Sequence, residues 1–258
     1  MYVLIWCDFE PYQDSWGNWQ RRDFWQSAWE KRYPHESVYL AGELIETAKD
    51  FNVPITWGIF ACEPFFEWID YLKPFYIYTQ RINHSITIHP HWLSWNGTQW
   101  NREINPPKAL VAQPFKILPK LQCLPNFEKF IRSGWQSQSF REGGLLKDYY
   151  KTLGFKGVGD IGKFGSRKDY YWENDFLIIT YDTDSMPVDK ENAETKWKAH
   201  FLKAIKEHQS IFHFWFHIHE LSAALFSELL QFSINAAREF KEPLIFKTAG
   251  ELYKCLSQ

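Results

Sequence analysis

The chain has 258 residues, the size of one large α/β domain or two small ones. Hydrophobic residues make up 45% and charged residues 23%, which excludes a disordered chain and fits one that builds a core. A net charge of −2 without a sustained Lys/Arg run argues against nucleic acid as a partner, and no stretch approaches the roughly 18 apolar residues of a membrane span.

The first predicted element is "YVLIWC" (2–7), a short apolar run typical of a buried strand. A helical insert is expected over 20–33. The segment 37–51 has apolar residues at helical spacing behind Ser37, a candidate cap. "PITWGIF" (54–60) and "SITIH" (85–89) read as the second and third strands. A long loop rich in Trp, Asn and Pro follows from 90 to about 120, and its "NGT" (96–98) reads as a turn. A short helix is expected over 125–134, a strand over 137–141 and a helix over 144–154. Then come a strand (175–182), a helix (193–208), the strand "IFHFWFHIH" (211–219) and a long helix (220–240). "LIFK" (244–247) and 248–254 close the chain as strand and helix. Repeated strand–helix units without a linker predict one domain over 1–258, with a parallel sheet and helices outside.

Side chains alternate between the two faces of a strand. In 212–219 one face holds Phe212, Phe214, Phe216 and Ile218, and the other holds His213, Trp215, His217 and His219. The same alternation sets Asp8 on one face of the first strand and His89 on one face of the third. Asp8 and Glu10, His89 and His91, Arg141, and His217 and His219 all fall where strands end. In parallel α/β folds those ends share one face, where active sites form. Carboxylates, imidazoles and an arginine converging there make the donor set of a hydrolytic metal site, zinc or a similar divalent ion. His213, farther back on its strand, reads as a core histidine. His35, His84, His200 and His208 read as surface or structural. Asp182 and Asp184 end another strand and are candidate substrate contacts. The four cysteines, Cys7, Cys62, Cys123 and Cys255, are far apart and lack a C-x-x-C pair, which favours a reducing compartment. The opening residues have no basic n-region and too short an apolar run for a signal peptide, so a cytoplasmic location is expected. Aromatics reach 19%; buried packing accounts for most of them, and sugar stacking is the second use.

In order along the chain, "WCDFEP", "VPITWGIF", "HSITIHPHWL", "SFREGG", "FWFHIHEL" and "LIFKTAGEL" resemble the motifs of the polysaccharide deacetylase superfamily, with its NodB-homology fold. The resemblance implies a distorted (β/α) barrel and metal-dependent hydrolysis of an N-acetyl group on an amino sugar or sugar conjugate. It implies Asp8 as base, Arg141 orienting it, and His217 as acid, with His219 as the alternative. Glu10, His89 and His91 become the metal ligands, although Asp8 and Glu10 could exchange roles. The sequence departs from the family pattern in three places. Phe9 separates the two carboxylates, Thr87 stands four residues before His91, and Glu142 follows Arg141. These departures support a second expectation, a deacetylase-fold protein without chemistry that binds carbohydrate.

Overall fold

The computed structural model describes residues 1–10, 33–62, 68–80, 83–96, 100–103, 106–132, 145–162, 169–181 and 192–258. The apolar run at the start forms β1 (Tyr2–Phe9), buried from Val3 to Phe9. A strand flanked by strands and covered by helices reads as near-continuous apolar sequence for this reason. Helix α1 (Tyr33–Asp50) follows, with Ala41, Leu44, Ile45 and Ala48 buried, the stripe that helical spacing produces. Next come β2 (Thr56–Ala61), α2 (Trp68–Tyr71), α3 (Lys73–Gln80) and β3 (Ser85–Pro90). The hairpin β4 (Leu93–Trp95) and β5 (Trp100–Arg102) leads to a 3-10 turn (Gln113–Ile117), α4 (Leu118–Gln122) and β6 (Phe127–Ile131). Then follow α5 (Leu145–Thr152), β7 (Gly157–Gly162), β8 (Tyr170–Glu173) and β9 (Phe176–Tyr181). Helix α6 (Ala193–Lys206), β10 (Ile211–His217), α7 (Ala223–Glu239), β11 (Ile245–Phe246) and α8 (Ala249–Leu256) complete the chain.

The main sheet runs β10-β1-β2-β3-β6-β7-β9-β8, with β11 also paired to β1. All these pairs are parallel except β8 with β9. The sheet curls into a nearly closed barrel. Between its two ends, Asp169 Oδ2 accepts from the backbone N–H of Ser210 at 2.7 Å and of Ile211 at 3.3 Å. Trp6 fills the interior. Its ring lies so close to Gly159 that a Cβ there would sit 2.5 Å from Cζ3, and a Cβ at Gly58 would meet its Nε1 at 3.2 Å. The absence of side chains at 58 and 159 is what admits the indole. Outside the barrel, Trp197 of α6 packs on Phe214 at 4.1 Å between ring centroids, and Phe226 of α7 packs on Phe216. The Phe face of β10 therefore meets the helices, as its alternation predicts.

Three expectations are corrected. Residues 127–131 form the strand β6, not part of a helix over 125–134. Phe127, Phe130 and Ile131 mimic helical spacing, but pairing with β3 and β7 prevails over that local pattern. Ser37 is not at a helix start: it lies inside α1, and its hydroxyl donates to the Glu10 carbonyl at 3.0 Å. The segment 90–120 is no bare loop but carries the β4–β5 hairpin and two short helical turns. The strand expected over 137–141 and, apart from Tyr33, the insert expected over 20–33 lie outside the described residues. At the other end of the chain, Thr248 and Glu251 form a capping box on α8, which stabilises a helix start by satisfying two orphan donors. Among the described residues no helix is long and apolar enough to cross a membrane.

His84 is structural, as expected, and sits where β3 begins. Its Nδ1 accepts from the Ile55 backbone N–H at 3.2 Å and from the Trp57 indole N–H at 3.1 Å. Burial lowers its pKa to about 4, and protonation would also evict both donors. In the unfolded chain the imidazole titrates near 6.5. His84 therefore contributes its full stability above that pH. The contribution shrinks as pH falls toward 4, by about 3 kcal/mol in all. Urea unfolding at pH 7.5 and pH 4.5 should show this loss, and His84→Asn, whose amide oxygen can take the place of Nδ1, should reduce it.

Candidate active site

The first and third strands end side by side across β2. Asp8 is register partner to Gly58, and Gly58 to Thr87. Two residues on, Phe60 pairs with His89. Side chains two apart on a strand share a face, so Asp8 and His89 both enter the barrel mouth. On the other side of β1, Asp8 is register partner to His217. Glu10 and His91 lie just past the ends of their strands.

Glu10, His89 and His91 come together completely buried. Glu10 Oε1 lies 2.9 Å from His89 Nε2 and 3.1 Å from His91 Nε2, and the two Nε2 atoms are 2.7 Å apart. The extended backbone through Pro90 thus sends both imidazoles to one point. His89 Nδ1 donates to the Arg132 carbonyl at 2.8 Å. That bond engages Nδ1 and turns Nε2 toward the carboxylate, the support that metal-ligating histidines use. Three lone-pair donors crowd one spot, and protons alone reconcile them only by unequal sharing. Burial works against charge on His89, but Asp8 and Glu10 outweigh it and raise its pKa. Burial and the neighbouring His89 push His91 down to about 4. Burial opposes ionisation of Glu10, yet the two imidazoles packed against it hold its carboxyl well below the usual range. A carboxylate with two imidazoles is a donor set that suits a divalent ion such as zinc and leaves positions open. These residues fit such an ion.

Asp8 is not part of that triad. Its Oδ2 is 3.8 Å from His89 Nε2, while Oδ1 lies 3.1 Å from Arg132 Nε, an ion pair by distance rather than a well-aimed hydrogen bond. Both side chains are 1% exposed. The Arg132 guanidinium also lies 4.0 Å from the centroid of the Trp215 ring, and its Nη1 donates to the Gly159 carbonyl at 3.4 Å. Arginine is suited to such a stacked, buried position. Among the described residues, the guanidinium beside Asp8 is that of Arg132; sequence reasoning gave that role to Arg141. Arg141 lies outside the described residues, as do Asp182 and Asp184.

His217 is turned by Glu220. The Glu220 carboxylate accepts from His217 Nδ1 at 2.8 Å and from the His217 backbone N–H at 2.5 Å, while the Glu220 N–H donates back to the His217 carbonyl at 2.9 Å. Burial opposes a charge on this imidazole, but the Glu220 carboxylate overcomes it and raises the pKa to about 10. Nδ1 is engaged by Glu220, which fixes the orientation of the ring. His219 stacks on His217 with centroids 5.6 Å apart; burial and the His217 charge lower its pKa. His213 faces Trp6 in the interior at 6.0 Å, as a core histidine would.

Sequence reasoning missed Arg132 and Glu220. Arg132 was hidden by the misread of β6 as helix. Glu220 had a readable signal: a carboxylate three residues after His217 in "FHIHE", within reach across one tight turn.

No protein-family model matches the chain, and no curated protein matches it in sequence. Similar folds occur among solved structures. A protein of Mycobacterium smegmatis assigned as a polysaccharide deacetylase superposes with a TM-score of 0.64 at 12% identity, covering 99% of this chain and 90% of its own. The chitin deacetylase of the fungal pathogen Colletotrichum lindemuthianum matches at a TM-score of 0.48 and 12% identity, over 97% of this chain and 86% of its own.

Proposed function

We propose that this chain, which has the distorted (β/α)-barrel fold of the polysaccharide deacetylases, is a metal-dependent hydrolase that removes an N-acetyl group from an amino sugar or sugar conjugate. The observation that carries the reading is the convergence of Glu10, His89 and His91 on one point, with Asp8 at the end of β1 and His217 as its register partner on β10. A divalent ion held by these three would lower the pKa of a bound water and polarise the acetyl carbonyl. Asp8 takes the proton of the attacking water, and Arg132 holds its carboxylate in place. His217, kept protonated and turned by Glu220, presents Nε2–H to the departing amine. The two groups sit on neighbouring strands, base on β1 and acid on β10. Burial of Asp8, His89 and His217 keeps bulk water from competing for these contacts.

The protein is expected to bind about one divalent transition ion per chain, best zinc. Elemental analysis and acetate release from N-acetylglucosamine oligomers test this together. Chelation should abolish release without unfolding the chain, since a core of this size does not depend on one ion. Glu10→Gln should lose both metal and activity. A chain that stays metal-free with zinc added would overturn the reading and leave a carbohydrate-binding barrel.

A further inference from the structure

At the opposite end of the barrel from the candidate active site, a cavity of about 390 Å³ opens between the end of α1, the starts of β2 and β3, and the first turn of α8. It is within the size range of small-molecule sites. Its polar walls are Lys49, Asn52, Asn83, His84, Lys247 and Glu251. His84 is the buried member, 3% exposed. Its Nδ1 is occupied by the two donors from Ile55 and Trp57. The proton of the neutral ring therefore resides on Nε2, on the other side of the imidazole, and no described residue accepts it. A cavity wall ends in a fixed, buried donor.

The groups around that donor have one character. Lys49 and Lys247 contribute two ammonium groups, and Asn52 and Asn83 contribute two amides. The carboxylates nearby are engaged: Glu46 with Lys49 at 3.1 Å, and Glu251 with the Thr248 backbone N–H at 3.1 Å, within 4.0 Å of Lys247. Both pairs are on the rim, where ion pairs are weak and exchange partners readily. Five donor groups from several directions exceed what the two oxygens of a planar carboxylate can take, and match a tetrahedral oxoanion. We propose that this cavity is an oxoanion site, built for a phosphate group either free or as a phosphate monoester. The site is separate from the proposed hydrolase chemistry and stands whether or not that reading holds.

Calorimetric titration of the full chain with inorganic phosphate, glycerol phosphate and acetate, at constant ionic strength, tests it. Phosphate should bind saturably at one site. Lys49→Met and Lys247→Met should each weaken it about tenfold or more, as the loss of a charge-assisted hydrogen bond does. By reciprocity, phosphate should raise the pH at which the His84 proton resonances titrate, a readout that needs no substitution. Tighter binding of glycerol phosphate than of inorganic phosphate would identify a monoester as the natural occupant, and the reverse would identify the free ion. Absence of saturable binding at millimolar phosphate would overturn the proposal. So would acetate binding as tightly as phosphate, or affinity unchanged in both lysine variants.

Discussion

Arg132→Met should cost the fold about 3–5 kcal/mol and remove most turnover. The substitution keeps an unbranched stem against Trp215 but leaves the buried Asp8 without its cation. Breaking a buried ion pair from one side is costly because the remaining charge stays dehydrated. The double variant Asp8→Asn/Arg132→Met should recover much of the stability, since it removes both charges, while activity stays absent. Urea unfolding of the two singles and the double measures this coupling directly. Little change in Arg132→Met, with a large loss in Arg141→Met, would show that the partner of Asp8 had been misassigned.

His217→Ala should reduce turnover by about 10²–10⁴-fold, the usual contribution of a general acid, with the fold intact. Glu220→Gln separates orientation from charge, because the amide can still accept from Nδ1 but carries no charge. An acid works only while protonated, so the rate falls as pH rises through its pKa. The Glu220 carboxylate is the chief group raising that value. The alkaline limb of the rate profile, recorded with saturating metal, should therefore move to lower pH in Glu220→Gln. A limb that stays in place would mean that another group sets it. His213→Ala should instead lower stability with a small effect on rate, since it packs on Trp6 below the site.

How much of this was legible depends on whether local pattern and tertiary pairing agree. In β10 they agree: alternation is strict, one face meets α6 and α7, and the other meets the barrel interior. The meeting of His89 and His91 was legible too, because an extended His-Pro-His has no other way to aim its rings. In β6 they disagree. Five residues with apolar side chains at helical spacing could be either element, and only the neighbours β3 and β7 decide. That error moved Arg132 from a strand end to a helix interior and so out of consideration. Strand β7, "GVGDIG", was illegible for a different reason. Its glycines carry no pattern, and Gly157 and Gly159 leave room for others: a Cβ at Gly157 would run into the Leu177 carbonyl oxygen. Nothing in the local sequence announces a residue chosen for what its neighbours require.

The bridge from Asp169 to Ser210 and Ile211 has a mechanical consequence. A barrel closed by backbone ladders all round deforms as one piece, whereas among the described residues this one has a seam bridged by the Asp169 carboxylate in place of a ladder. The proposed ligands belong to β1 and β3, each flanked by strands on both sides, so their spacing is protected from the seam. His217 belongs to β10, the last strand of the path, which among the described residues has a backbone ladder with β1 only. Breathing at the seam would therefore displace the proton donor while the ion's cradle stays rigid. Under the proposed function, loosening the seam should therefore slow release of the amine before it weakens the hold on the ion.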